Sequence, residues 1–193
     1  MNTTVDLVLG MGQPRVMALD LAAAGDESAL VRSAQAGNRD AFGALYERYG
    51  AMVHGLLVAR VPFDAVDDLV QDVFLVALQR LGSLRNTRAF GAWLAAIARN
   101  RAVDFHRQRP VLAQADDLPA PDDARRGEAF AVLAVIRALP EAYRETLVLR
   151  LVEGMTGPEI AERTGLTPAS VRVNLHRGMK KLREQLERQQ VRP

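Results

Sequence analysis

The densest group of side chains able to meet an anionic surface lies near the C-terminal end of the chain. From Val171 onward, Arg172, Arg177, Lys180, Lys181, Arg183, Arg188 and Arg192 stand against only Glu184 and Glu187. Charge alone fits a solvated helix face as well as a phosphate-binding one. The spacing says more. Val171, Leu175, Gly178, Leu182 and Leu186 recur at three- and four-residue intervals, which places them on the inner side of a helix. At about 100° per residue, Ala169, Val173, His176, Arg177 and Lys180 then point away from that core, and Ser170 joins them as a candidate contact. An aliphatic group on a basic outer face has a use in the DNA major groove. There it can touch a thymine methyl while Arg reads guanine or phosphate. Arg172 and Lys181 flank this face, where they suit the phosphate backbone. The competing reading is an ordinary helical hairpin with a charged surface.

Other reactive residue types form no chemical constellation. Asp67, Asp68 and Asp72 are close in sequence but have no His or Cys partner at metal-ligand spacing. No Gly-rich phosphate loop and no nucleophile beside a base is present, so nothing indicates an enzyme. The chain contains no cysteine, which excludes disulfides and thiol-ligated metals, and His54, His106 and His176 are far apart. No metal and no cofactor is expected. No apolar run approaches the roughly 20 residues that span a bilayer, and the N-terminus lacks a signal-peptide pattern. The expectation is a cytoplasmic protein with no membrane insertion of its own.

The elements that must position these residues are helical. Of 193 residues 49% are hydrophobic and 5% aromatic, with Ala, Leu, Val, Arg and Glu recurring. The net charge of +2 is too small to identify a partner. The pattern predicts an all-α chain: two small helical domains joined by a flexible linker, the C-terminal one a helix-turn-helix. Residues 1–26 read as a loosely ordered tail and 27–109 as the first domain. Within that domain a short helix carries Leu30, Val31 and Ala34, and Gly37-Asn38 turns the chain. A helix from about Asp40 places Phe42, Leu45, Tyr46, Tyr49, Val53, Leu56 and Leu57 on its face and stops at Pro62. A third carries Val66, Leu69, Val70, Val73, Phe74 and Leu78 up to Gly82, and a fourth holds Phe90, Trp93, Leu94, Ile97, Ala98 and Val103. Residues 110–126, with Pro110, Pro119, Pro121 and four Asp, read as the linker, able to extend to about 55 Å.

The last domain, residues 127–193, opens with a helix bearing Ala129, Val132, Leu133 and Ile136. A second follows Leu139-Pro140, buries Leu147, Val148 and Leu151, and ends near Gly154. Thr156 with Glu159 forms a capping box, Gly165 ends that short helix, and Thr167-Pro168 caps the next. Two helices across a tight Gly-containing turn have the spacing of a DNA-binding helix-turn-helix.

Leu139-Pro140-Glu141 through Arg150, Glu153-Gly154-Met155-Thr156, Glu159-Ile160-Ala161, Val171-Arg172 and Leu175-His176-Arg177 resemble the C-terminal domain of extracytoplasmic-function sigma factors. Ala41-Phe42, Leu45-Tyr46, Asp67 through Phe74, Trp93-Leu94, Ile97-Ala98-Arg99-Asn100 and Asp104 resemble their first domain. The resemblance covers about Glu27 to Leu186 and implies a non-catalytic initiation factor. Its implied partners are core RNA polymerase, promoter DNA (duplex and melted) and an anti-sigma factor. It implies that Asp67, Asp68, Gln71 and Asp72 dock on the clamp helices of the polymerase. Asn86, Thr87 and Asn100 would bond to unstacked bases of the minus-ten element, with Arg85, Arg88, Arg99 and Arg101 on phosphates. Trp93 is either a wedge at the duplex fork or a core residue; Phe90 and Ile97 are expected in the core. Asp104 would pair with Arg101 or Arg107. The last helix would read the minus-thirty-five element. Val173, Asn174 and Gly157-Pro158 depart from the family's usual residues, which removes the basis for inferring a promoter sequence by analogy. A helix-turn-helix regulator with a helical sensing domain is the alternative; it would bind duplex DNA without polymerase.

Overall fold

The computed structural model describes residues 27–108 and 124–190. The expected tail, and the expected linker up to residue 123, lie outside the described residues. Every regular element within them is helical: α1 (Glu27–Gln35), α2 (Arg39–Val58), α3 (Val66–Arg80), α4 (Phe90–Gln108), α5 (Ala124–Arg137), α6 (Glu141–Leu151), α7 (Gly157–Thr164) and α8 (Pro168–Gln190). Single 3-10 turns cover Phe63–Ala65, Leu81–Ser83 and Thr87–Ala89. Helix α5 begins at Ala124, so it takes up the last three residues assigned above to the linker.

Local chemistry sets the boundaries. Gly37 has φ +92°, a left-handed conformation open to glycine, and lets α1 turn into α2. The Asn38 side chain then accepts from the Ala41 N–H at 3.1 Å and caps α2. Helix α2 stops at Val58, four residues before Pro62, because its last turn tightens: the Arg60 N–H bonds to the Leu57 carbonyl at 2.8 Å.

The first domain closes around Leu45, Tyr49, Met52, Val53, Leu56 and Leu57 of α2. They meet Val70, Val73 and Phe74 of α3 and Phe90, Leu94 and Ala98 of α4, all buried. Three side chains expected on inner faces lie outside. Tyr46 is 42% exposed, Leu78 50% and Val103 52%. Each follows a residue that takes the inward position, namely Leu45, Ala77 and Ala102, and one further residue rotates the side chain by about 100°. The Tyr46 ring still lies on Phe74, centroids 4.4 Å apart.

The second domain gathers Val132, Leu133, Ile136, Val148, Ile160, Val171 and Leu182. The two halves pack directly against each other, chiefly α6 and α7 on α2 and α4. The central turn of α6 is consequently buried around its circumference, Glu145, Thr146, Leu147, Val148 and Leu149 all being buried. Its weak sequence amphipathicity is what two-sided burial requires. The expected Leu147 and Val148 face is correct, while Leu151 is half-buried and Leu149 faces the other domain.

Candidate nucleic-acid interface

Helix α7 is held by a complete capping box. The Glu159 N–H donates to Thr156 Oγ1 at 3.4 Å, and Glu159 Oε2 accepts from the Thr156 N–H at 2.7 Å. The Thr156 N–H, and with it the Thr156 hydroxyl, which donates to the same oxygen at 2.7 Å, draw the Glu159 carboxyl below its ordinary range. Gly165, at φ +75°, ends α7, and its N–H bonds to the Ala161 carbonyl at 3.1 Å. Thr167 then caps α8 by accepting from the Ser170 N–H at 3.1 Å. A Cβ on Gly178 would lie 3.1 Å from Leu147 Cδ1 and 3.2 Å from Tyr143 Cβ, so glycine lets α8 approach α6 closely.

Val171, Gly178 and Leu182 are buried, and Leu175 and Leu186 are half-buried, as the spacing predicts. All eight expected contacts, Ala169, Ser170, Arg172, Val173, His176, Arg177, Lys180 and Lys181, are exposed. Val173 is 40% exposed among basic neighbours, the aliphatic position that a major-groove face can use. The Ser170 hydroxyl is already bonded to Thr167 Oγ1 at 2.8 Å and serves the cap.

The second basic surface surrounds the α3–α4 connection. Arg85, Asn86 and Arg88 are exposed and Thr87 half-buried. Asn86 Oδ1 accepts from the Arg88 N–H at 3.2 Å, so part of its hydrogen-bonding capacity shapes the turn. Gln35, which the sequence did not mark, fixes this loop from α1. Its Nε2 donates to the Leu81 carbonyl at 2.9 Å and the Leu84 carbonyl at 2.8 Å. Trp93 is half-buried, with its ring 5.8 Å from that of Phe90, so it belongs partly to the core. Phe90 and Ile97 are core residues as expected. Asn100 is exposed. Arg101 bonds through Nε to Asp72 Oδ2 at 3.1 Å, and Asp104 lies 3.8 Å from Arg101 and 3.7 Å from Arg107. Asp104 thus pairs with both arginines.

Arg99 stands apart from this set. Its Nε and Nη2 donate to Glu145 Oε1 and Oε2 at 3.0 and 3.2 Å, a two-pronged bond that crosses to the other half of the chain. Arg60 also bonds to Glu145, and to Glu141. Nearby, Arg137 donates from Nε to the Val58 carbonyl at 2.9 Å and from Nη2 to the Val61 carbonyl at 3.0 Å. His54 Nδ1 and Glu153 Oε1 are 2.7 Å apart, and that hydrogen bond raises the imidazole above its ordinary value against the opposing effect of burial. Burial lowers the Arg144 guanidinium, with Arg60 adding to the effect.

Helix α3 carries its acids on the outer side. Asp67, Asp68 and Gln71 are exposed and Asp72 is partly so, while Val70, Val73 and Phe74 are buried and Leu69 is half-buried. The same outer face continues through Leu75, 58% exposed, and Leu78. Sequence reasoning missed this extension by taking Leu78 as core and passing over Leu75. The available signal was Leu75 seven residues after Asp68 and three after Asp72, with Leu78 three further on. Among the described residues no group of His, Asp and Glu is arranged to hold a metal, and no helix is long and apolar enough to cross a membrane.

Comparison with known proteins matches both halves in order. Residues 45–110 fit the family described as Sigma-70 region 2, and residues 129–182 fit Sigma-70, region 4. The RNA polymerase sigma factor CarQ of Myxococcus xanthus is 36% identical over 159 residues, 78% of this chain and 91% of CarQ. A probable RNA polymerase sigma factor, RfaY of Xanthomonas campestris, is 37% identical over 63% of this chain, which spans about a third (34%) of RfaY's length. A solved structure of CnrH in complex with the cytosolic domain of CnrY is similar at 32% identity and a TM-score of 0.60. The match covers 83% of this chain and 97% of that one.

Proposed function

Because the chain belongs to the sigma-70 family of transcription initiation factors and is of the extracytoplasmic-function type, directing core RNA polymerase to promoters, we propose the following division of labour among its residues. Helix α8 reads the minus-thirty-five element. Val173, His176 and Arg177 face base edges, Ala169 and Ser170 sit at the entry of the helix, and Arg172, Lys180 and Lys181 hold phosphates. The surface of Arg85, Asn86, Thr87, Arg88, Trp93, Arg99, Asn100 and Arg101 receives the melted minus-ten strand. Stacking and polar edge contacts there replace the base pairing that is lost. Asp67, Asp68, Gln71 and Asp72 dock on polymerase, and Leu75 and Leu78 supply the apolar part of that contact.

The factor acts in the cytoplasm and catalyses nothing itself. CnrH, the structural relative, is bound by the cytosolic domain of CnrY, which supports an anti-sigma partner for this chain too. The observation that carries the reading is the order of the two matched halves, each with an exposed basic surface, plus an acidic-apolar face on α3. A helix-turn-helix regulator with a sensing domain accounts for α7 and α8 alone.

Run-off transcription with purified bacterial core polymerase, on DNA upstream of the chain's own gene, tests the reading. Discrete transcripts should appear only when the protein is added. Alanine at Arg85, Asn86 and Arg88 should abolish promoter opening while minus-thirty-five protection persists. Unchanged melting in that variant refutes the minus-ten assignment, and a duplex shift without any polymerase dependence favours the plain regulator.

A further inference from the structure

We propose that Gln35 is a positioning residue for promoter opening. From the end of α1 it fixes the peptide that leads into the Arg85–Arg88 loop, and so sets how well that loop discriminates the melted minus-ten strand. This rests on the minus-ten assignment above. Between α3 and α4 the chain passes through two 3-10 turns, Leu81–Ser83 and Thr87–Ala89. Its buried ends are Leu81 and Phe90. The hydrogen bonds made within it are short-range. The Ser83 hydroxyl donates to the Arg80 carbonyl at 2.7 Å, the Leu84 N–H to the Leu81 carbonyl at 3.1 Å, and the Ala89 N–H to the Asn86 carbonyl at 3.0 Å. Such bonds shape the turns without deciding where the loop stands on the domain. Among the described residues, only the Gln35 amide bonds to this segment from a distant part of the sequence, 46 and 49 residues away.

The tie has a rigid base. Gln35 is the last residue of α1, whose Val31 and Ala34 are buried. Just past it, the Gly37 N–H bonds to the Ala34 carbonyl at 3.0 Å and the Asn38 N–H to the Ser33 carbonyl at 3.1 Å. These bonds close the helix end around the left-handed Gly37. Helix α1 also packs against both 3-10 turns. Glutamine suits the position chemically. Its Nε2 carries two hydrogens, one for each carbonyl, and two carbonyl oxygens can be satisfied only by that nitrogen, so the amide has one orientation. The second acceptor matters most. The Leu81 carbonyl also receives the Leu84 N–H, whereas the Leu84 carbonyl belongs to the peptide that joins Leu84 to Arg85. That peptide is trans and planar. Holding its oxygen towards α1 therefore turns the Arg85 N–H away from α1 and fixes the direction in which the loop sets out. A loop that takes its binding form only part of the time lowers the apparent affinity by that fraction. Loosening the tie thus weakens strand binding without removing any group that touches DNA.

The test uses the full chain bound to core polymerase, on the promoter that run-off identifies. Q35M keeps the length of the side chain and removes both donors. Holoenzyme affinity for a single-stranded minus-ten oligonucleotide should fall roughly ten- to thirtyfold, the order expected when two ordinary hydrogen bonds no longer hold the loop. The preference for that strand over one with a changed base should shrink as well. Core binding, minus-thirty-five protection and helicity by circular dichroism should stay at wild-type levels. Q35K, whose ammonium again offers donors to both carbonyls, should restore the discrimination. A lysine acting only through its charge would strengthen matched and mismatched strands alike. Should Q35M lose helicity, Q35A must show the same loss of discrimination in a folded chain; helicity lost in both makes Gln35 a folding residue and overturns the proposal. It is overturned equally if folded Q35M discriminates as wild type does, if minus-thirty-five protection falls in step with strand binding, or if Q35K restores nothing. When alanine at Arg85, Asn86 and Arg88 leaves melting intact, or wild type yields no transcripts, the minus-ten assignment fails and the role of Gln35 with it. When that alanine variant cannot melt the promoter and Q35M melts it normally, the role of Gln35 alone is refuted.

Discussion

Replacing Gly55 by alanine should strengthen α2 and weaken the molecule as a whole. Gly55 lies inside α2, where glycine costs about 1 kcal/mol relative to alanine, so the first domain alone should gain that much. Every atom that a Cβ there would crowd belongs to the other half: Glu153 Cγ and Leu149 Cδ2 at 2.8 Å, and Glu153 Oε1 at 3.4 Å. Neither neighbour yields freely. Leu149 is 1% exposed and Glu153 is tied to His54 at 2.7 Å. Overpacking of this kind costs roughly 1–3 kcal/mol. The net effect is therefore zero to about 2 kcal/mol of destabilisation, carried entirely by the contact between halves. Urea unfolding followed by circular dichroism and by fluorescence of Trp93, the single tryptophan, measures it, with the Stokes radius as second readout. The G55A chain should have a larger radius, and its unfolding midpoint should fall by up to about 1 M. A midpoint raised by about 1 kcal/mol equivalent at unchanged radius would refute the reasoning, since the helix gain would then stand without any interdomain cost.

Thr156→Ala should cost about 1 kcal/mol of second-domain stability by removing the cap of an eight-residue helix, measured by denaturant titration. The Glu159 carboxyl is depressed on folding, so its contribution is present above the unfolded value near 4.5 and lost as pH falls through the lower folded one; a flat stability curve there in E159Q but not in wild type is expected. His54 has the opposite sign: its folded value is raised, so the His54–Glu153 contribution is complete below 6.5 and lost as pH rises through the elevated folded value. The His54 imidazole NMR resonances should titrate above 6.5 in wild type and return towards it in E153Q. On α8, Arg177→Ala should cost about 1–3 kcal/mol of minus-thirty-five affinity and relax specificity at one base, while Lys181→Ala should weaken all sequences alike and lower the salt slope by about one, by holoenzyme binding titrations. Leu75→Ala should change stability by less than about 0.5 kcal/mol, the side chain being exposed, yet weaken binding to core polymerase in a competition assay.

Local patterning was enough for most of the architecture. Helical period marks Val171, Leu175, Gly178, Leu182 and Leu186 as the inner side of α8, because a helix packed on one side writes that side into its spacing. The capping box at Thr156 and the left-handed Gly165 were legible for a similar reason, since both are satisfied by bonds within four residues. The eight candidate contacts on α8 are exposed because they fall outside its buried stripe. Residues whose surroundings come from distant sequence were not legible. Tyr46, Leu78 and Val103 match helical spacing yet lie one position past the inner stripe, which only the orientation of each helix against its neighbours decides. Gln35 acts on carbonyls 46 and 49 residues away. Glu145 and Arg99 carry no sign in the sequence that they meet, and a linker able to extend said nothing of whether the halves would touch. Local bonding and one-sided burial are properties of short segments. The burial of α6 on both sides and the capture of Arg99 depend on bringing two segments together across the chain, and that is settled by tertiary packing alone.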